Sequence, residues 1–135
     1  MTGDERRPLA SAQSEYRERT VDPKSLDDLL AAYETTAERW SSLQSNAGAA
    51  NAVFDENHRL YKLLRVEPDG RDGIAKLMSH RDVGVKLVAA AHTLGWNPAD
   101  ASEVLEAIEQ GPGLHAVTAK YTLRSYRSGT LDQDW

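Results

Sequence analysis

Apolar residues recur along this chain at helical rather than strand spacing. Leu26, Leu29, Leu30, Tyr33, Ala37 and Trp40 fall at i, i+3, i+4, i+7, i+11 and i+14, one stripe on a first helix. Asp22 followed by Pro23 suits a helix start, and Ser25 with Asp28 three residues on has the form of a capping box. After SNAGAAN a second helix is predicted to run to about Val66, with Val53, Phe54, Leu60, Tyr61 and Leu64 on its apolar face and Asn57 as a polar intruder. EPDGRDG reads as a turn, because proline and glycine punctuate it. A short third helix over 72–79 turns Ile74, Leu77 and Met78 inward, and a fourth covers 82–94 and closes at Gly95. Asn97 before Pro98 opens a fifth, which ends at Gln110-Gly111-Pro112-Gly113; a sixth runs over 114–128 and stops at Gly129. No stretch alternates strictly between apolar and polar residues at hairpin spacing, so the fold class is all-α. Residues 1–24 lack a sustained apolar period and read as a flexible arm with one helical turn around 12–19. The predicted organisation is therefore an arm over 1–24, a helical domain over 25–130 and a tail over 131–135. The tail reads as loose, with Trp135 free to dock.

The fourth helix is the most apolar. In HRDVGVKLVAAAHTLGW, residues 80–96, Lys86 and Thr93 share one narrow polar strip and apolar residues cover most of the rest. Such a helix is expected to pack on more than one neighbour, as a middle helix in a stack does. VAAAHTL (88–94) also echoes VTAKYTL (117–123) at an offset of 29, matching at Val88/Val117, Ala90/Ala119, Thr93/Thr122 and Leu94/Leu123. One helix–turn–helix unit separates the copies, a period near that of helical solenoids.

The 80–96 stretch resembles the first helix of a HEAT-like repeat. Asp82 matches the acidic turn residue, Val85-Lys86 the apolar–basic pair, Ala89 and Ala90 the small contact residues, and Leu94-Gly95 the helix end. Arg81 and Gly84 depart from the pattern, which often has prolines or acids there. More widely, LDDLLAAYE, NHRLYKLL, LMSHRDVGVKLVAAAHTL and GPGLHAVTAKYTL resemble a small bacterial family of HEAT/armadillo-type helical domains. The resemblance implies a HEAT-like α-α superhelix of about six helices. It also implies a loose association with polymorphic toxins, beside which such domains serve as immunity proteins.

Composition narrows the function classes. At 135 residues the chain makes one modest core, and it has no apolar run near the ~20 residues of a membrane span. No apolar stretch follows the early arginines, so no secretory signal is read; a cytoplasmic location is expected. Cysteine is absent, which removes disulfides, thiolate metal sites and cysteine nucleophiles. The net charge is −5. Five of the 21 acids and five of the 16 bases fall in residues 1–24, leaving 16 acids against 11 bases in the rest. That field repels nucleic acid on average and steers a basic partner in.

Histidines act as catalysts or ligands only where partners converge on them. His92 lies between Val85 and Val88 on the helical wheel and reads as a partly buried histidine bonded to a neighbour. His80 reads as a contact at the helix end, while His58 and His115 stand isolated. No histidine pair has zinc spacing with a nearby acid. No catalytic residue, metal ligand or cofactor is assigned, and the chain reads as a non-enzyme. Asn57 is expected to tie down a neighbouring loop; the alternative places Asn57, Arg59 and Tyr61 at a partner surface. Trp40 continues the first stripe into the core.

The acidic residues offer the better lead. Asp100, Glu103, Glu106 and Glu109 share one face of the fifth helix, opposite Ala101, Val104, Leu105 and Ile108. Such a face is ordinarily only solvated. With helix four as the first helix of its unit, however, helix five is the second, and second helices line the concave binding surface of a HEAT-like stack. These acids and Trp96, in the preceding loop, form the predicted partner site, suited to a basic protein such as a nuclease-type toxin. Their spacing by threes also resembles a carboxylate metal cluster, but the Glu-x-x-His element of such sites is missing. Two alternatives come from other classes. One is a HEAT-like DNA-binding enzyme that excises alkylated bases, using Arg59, Arg65, Arg71, Lys76, Arg81 and Lys86 as a basic edge. The other is a scaffold or oligomer subunit.

Overall fold

The computed structural model describes residues 23–135; the arm predicted over 1–24 lies outside them except for Pro23 and Lys24, which are the first residues of a helix. The described chain folds into six α-helices: α1 Pro23–Ser42, α2 Ala47–Leu64, α3 Pro68–Lys76, α4 Val83–Thr93, α5 Pro98–Glu109 and α6 Gly113–Arg127. A single 3-10 turn, Leu77–Ser79, follows α3, and no strand occurs among the described residues. Among the described residues no helix is long and apolar enough to cross a membrane.

Three boundaries differ from the sequence pattern, each for a local reason. Helix α1 already runs from Pro23, so Ser25 lies within its first turn rather than capping it. Helix α2 begins at Ala47, ahead of the predicted start, because the Asn46 side chain accepts from the Ala49 amide and the following alanines favour helix. EPDGRDG is mostly helix, not turn. Pro68 takes the first helical position of α3 with Asp69 in the first turn. Gly70 serves close approach, since a Cβ there would collide with the Leu64 carbonyl at the end of α2.

Helix α4 is the centre of the molecule. Its N-cap, Asp82, accepts from the amides of Gly84 and Val85 and from the Ser41 hydroxyl of α1. Gly84 allows this close approach, since a Cβ there would strike Ser41 of α1 and crowd His115 of α6. Helix α4 packs on α1, α3, α5 and α6 and divides its faces between two cores. Val85, Val88 and Ala89 join Leu26, Tyr33, Ala37, Leu60, Tyr61, Leu64 and Ile74 in the first. Leu87, Ala90 and Leu94 join Ala101, Leu105, Ile108, Ala119 and Leu123 in the second. Trp40 and Met78 touch both. The predicted polar strip on α4 is not solvated as such: Lys86 is half-buried, but Thr93 is fully enclosed. Of the offset-29 echo, Ala90/Ala119 and Leu94/Leu123 occupy equivalent buried places, whereas Val88 is buried and Val117 exposed.

Candidate functional site

The four histidines are not isolated; each is engaged by residues from another helix or segment. His92 is buried rather than half-buried, and its Nδ1 shares a 2.6 Å hydrogen bond with the Tyr33 hydroxyl of α1. Tyr61 of α2 lies flat on its ring at 3.9 Å between centroids. Burial, reinforced by His58 and then Arg65, lowers the His92 pKa to about 3, so the imidazole stays neutral. Burial likewise raises the Tyr33 hydroxyl well above the usual tyrosine range, with Tyr61 adding to it. His58, also buried, stacks on Trp135 at 3.7 Å and donates from Nε2 to the Trp135 carbonyl at 3.1 Å. Burial and then Lys62 lower its pKa. The cluster Tyr33, His58, Tyr61, His92 and Trp135 went unseen in the sequence, because its members come from α1, α2, α4 and the tail.

Two other groupings resemble chemical sites and fail on geometry. Asp82, Ser41 and His115 converge in the manner of a hydrolase triad. In that machinery histidine sits between serine and carboxylate and takes the serine proton. Here Ser41 sits in the middle: its hydroxyl donates to Asp82 at 2.7 Å and His115 Nε2 lies 3.2 Å from its oxygen. Burial disfavours the Asp82 carboxylate, but the bonds from Ser41, Gly84 and Val85 outweigh that and hold its pKa below the usual range. The serine proton is therefore committed to a helix cap. The second grouping is Glu34, Glu38 and His80, whose donor atoms lie within 4.8 Å of one another. His80 Nδ1 accepts from the Asp82 amide, which leaves the proton on Nε2, directed at Glu34 (3.0 Å) and Glu38 (3.6 Å). A metal on Nε2 would need the proton on Nδ1, against an N–H. The group ties α1 to the entry of α4.

Asn57 is a tie between helices, not to a loop. Its Nδ2 donates to the Tyr33 carbonyl and the Thr36 hydroxyl of α1, at 3.1 and 3.0 Å. Asn57 is fully enclosed, which removes it from any partner face, and Tyr61 is buried apart from its edge on the cleft beside Arg65.

The predicted acidic face does point outward. Asp100, Glu103 and Glu106 are exposed and Glu109 half-exposed, while Ala101, Leu105 and Ile108 are buried behind them. The four acids are not equivalent. Asp100 accepts from the Asn97 side chain, Glu106 pairs with Arg127 of α6 at 2.6 Å, and Glu109 lines a depression with Lys120, Arg124 and Arg127. Glu103 has no ion-pair partner among the described residues. Trp96 lies half-buried just ahead of α5, packed against the first core with its indole nitrogen enclosed and unpartnered. It lines a cleft of about 610 Å³ with Tyr61, Arg65, Arg71, Gly95, Leu131, Gln133 and Asp134. Of the basic candidates, Arg59 is held by Glu56, Arg65 by Asp134, and Arg71 donates to the Arg65 carbonyl.

The tail is seated, not loose. No family model matches the chain, and no curated protein matches it. Among solved structures the fold is similar to that of protein RPA1889 from Rhodopseudomonas palustris CGA009, with a TM-score of 0.72 and 24% identity over 84% of this chain and 98% of that one. At that identity the likeness speaks to the fold alone.

Proposed function

We propose that the chain is a non-enzymatic protein-binding module built as a short HEAT-like stack, and that its partner is a basic protein, such as a toxin it neutralises as an immunity protein. The observation that carries this reading is α5, whose acids Asp100, Glu103 and Glu106 stand exposed on a helix anchored from behind by Ala101, Leu105 and Ile108. Support for the stack comes from α4, which packs between α1 and α6 while α2 pairs with α1 and α5 with α4 and α6. In that reading α5 is the second helix of its unit, one of the row that lines the concave binding surface of a HEAT-like stack. Because α6 already neutralises Glu106 and flanks Glu109, the free negative charge lies toward the start of α5, at Asp100 and Glu103, the end nearest Trp96. The non-enzymatic reading is supported by the histidines, each of which has at least one ring nitrogen bonded to a structural partner: Tyr33, Trp135, Glu34 with the Asp82 amide, or Ser41.

The test is co-expression with the proteins encoded beside it. A partner is expected to co-purify with the wild-type chain and to be lost on Asp100→Lys with Glu103→Lys. Unchanged affinity in that double variant removes the α5 surface from the account.

A further inference from the structure

The last five residues behave as a bound peptide. Gly129 and Thr130 close α6, and from there Leu131 and Gln133 are half-buried against the helices, Asp132 and Asp134 stay exposed, and Trp135 lays one ring face on α2 while half its surface stays open. This is the period-two pattern of an extended segment laid on a surface. Leu131 packs against the second core. The Gln133 side chain donates to the Ala91 carbonyl at 2.9 Å, in the last turn of α4, where helix carbonyls lack helical donors. Arg65 holds the segment twice, through the Gln133 carbonyl at 3.2 Å and the Asp134 carboxylate at 2.8 Å. Trp135 completes the fit, its ring flat on His58 and beside Phe54, its carbonyl accepting from His58. Leu131, Gln133 and Trp135 thus each have contacts of their own, and main-chain carbonyls are bound as well as side chains.

We infer that this groove between α2 and the end of α4 is a binding site for extended acidic peptide segments, and that the tail is its ligand in cis. The segment it takes from a partner protein has an apolar residue, an amide two positions on, then an acid and an aromatic residue. Three features carry this. The groove is walled by side chains that belong to the first core or pack against it, Tyr61 and Phe54 among them. Its charge is complementary: Arg65 meets a carboxylate, and Arg71 stands on the cleft wall with it. The cleft of about 610 Å³ stays open beside the seated Asp134, leaving room for a longer segment than the tail. The site is separate from the α5 acids and does not depend on the reading of that helix. A tail tethered in cis competes at an effective concentration of order millimolar, so a partner segment gains access by outcompeting it.

The experiment uses the full chain carrying Asp134→Ala and Trp135→Ala, and a labelled synthetic peptide GTLDQDW, the sequence of residues 129–135. Fluorescence anisotropy is expected to show saturable binding about tenfold or more tighter to this variant than to wild type. Adding Arg65→Ala is expected to abolish it, and a scrambled peptide should not bind. Absence of saturable binding, or binding indifferent to Arg65→Ala, overturns the inference. So does a wild-type chain found to dimerise by exchanging tails, since the groove's occupant is then a second copy. The wild-type chain provides an independent arm should the double variant unfold. Excess unlabelled peptide is expected to shift the Trp135 indole resonance toward its free position, and an unmoved resonance refutes the site.

Discussion

At the scale of single residues, buried polar groups tie the helices together. His92 sits at a pKa of about 3 against an ordinary 6.5, so between those values the unfolded chain binds a proton that the folded chain does not. Stability is therefore full above about pH 6.5 and falls as pH drops toward 3, by at most about 1.4 kcal/mol per unit from this group. His58, lowered too, acts in the same direction. Urea melts between pH 7 and pH 5 should show the decline, and His92→Gln should flatten it; an equally steep decline in that variant contradicts the assignment. Asn57→Ala removes two bonds to α1 and opens a cavity, so it should cost about 2–4 kcal/mol by the same melts. A loss under about 0.5 kcal/mol would show that the tie is idle. The sequence marked Asn57 as an intruder and His92 as bonded, because a polar residue in an apolar stripe needs a partner. It did not name the partners. Tyr33 lies 59 positions from His92, and that pairing exists only once α1 packs on α4.

At the scale of elements, periodicity and caps were enough for six helices, and Asn97-Pro98 and Asp82 mark their starts as expected. Glycine was the ambiguous sign. In α3 it punctuates the sequence like a turn yet serves helix packing, a role visible only with the facing carbonyl of Leu64 in place. Two substitutions separate the roles. Gly48→Ala makes only an ordinary contact, 3.9 Å from the Asn46 side chain, and should gain about 0.5–1 kcal/mol from helix propensity. Gly70→Ala has the same propensity gain but drives a Cβ into backbone, and should lose about 1–3 kcal/mol net. Thermal melts of both decide it: a stabilised Gly70→Ala would mean that α3 does not sit against α2 as described.

At the scale of the whole molecule, α4 joins two cores, the acidic helix α5 lies on one side of it and the tail groove on the other. The acidic face was legible because a three-residue charge period is a surface property of one helix. Its partial neutralisation by Arg127 was not, since that depends on how α6 lies along α5. The tail groove was illegible for the same reason: a five-residue segment gains meaning only from Arg65, His58 and Ala91 beneath it. The claim that this stack works by binding a basic protein is tested most directly by light scattering on the chain mixed with the proteins encoded beside it, at low and high salt. The account predicts a stoichiometric complex that weakens as salt screens the α5 carboxylates and is absent for Asp100→Lys with Glu103→Lys. A complex of the same affinity at both salt levels and with both chains would contradict it.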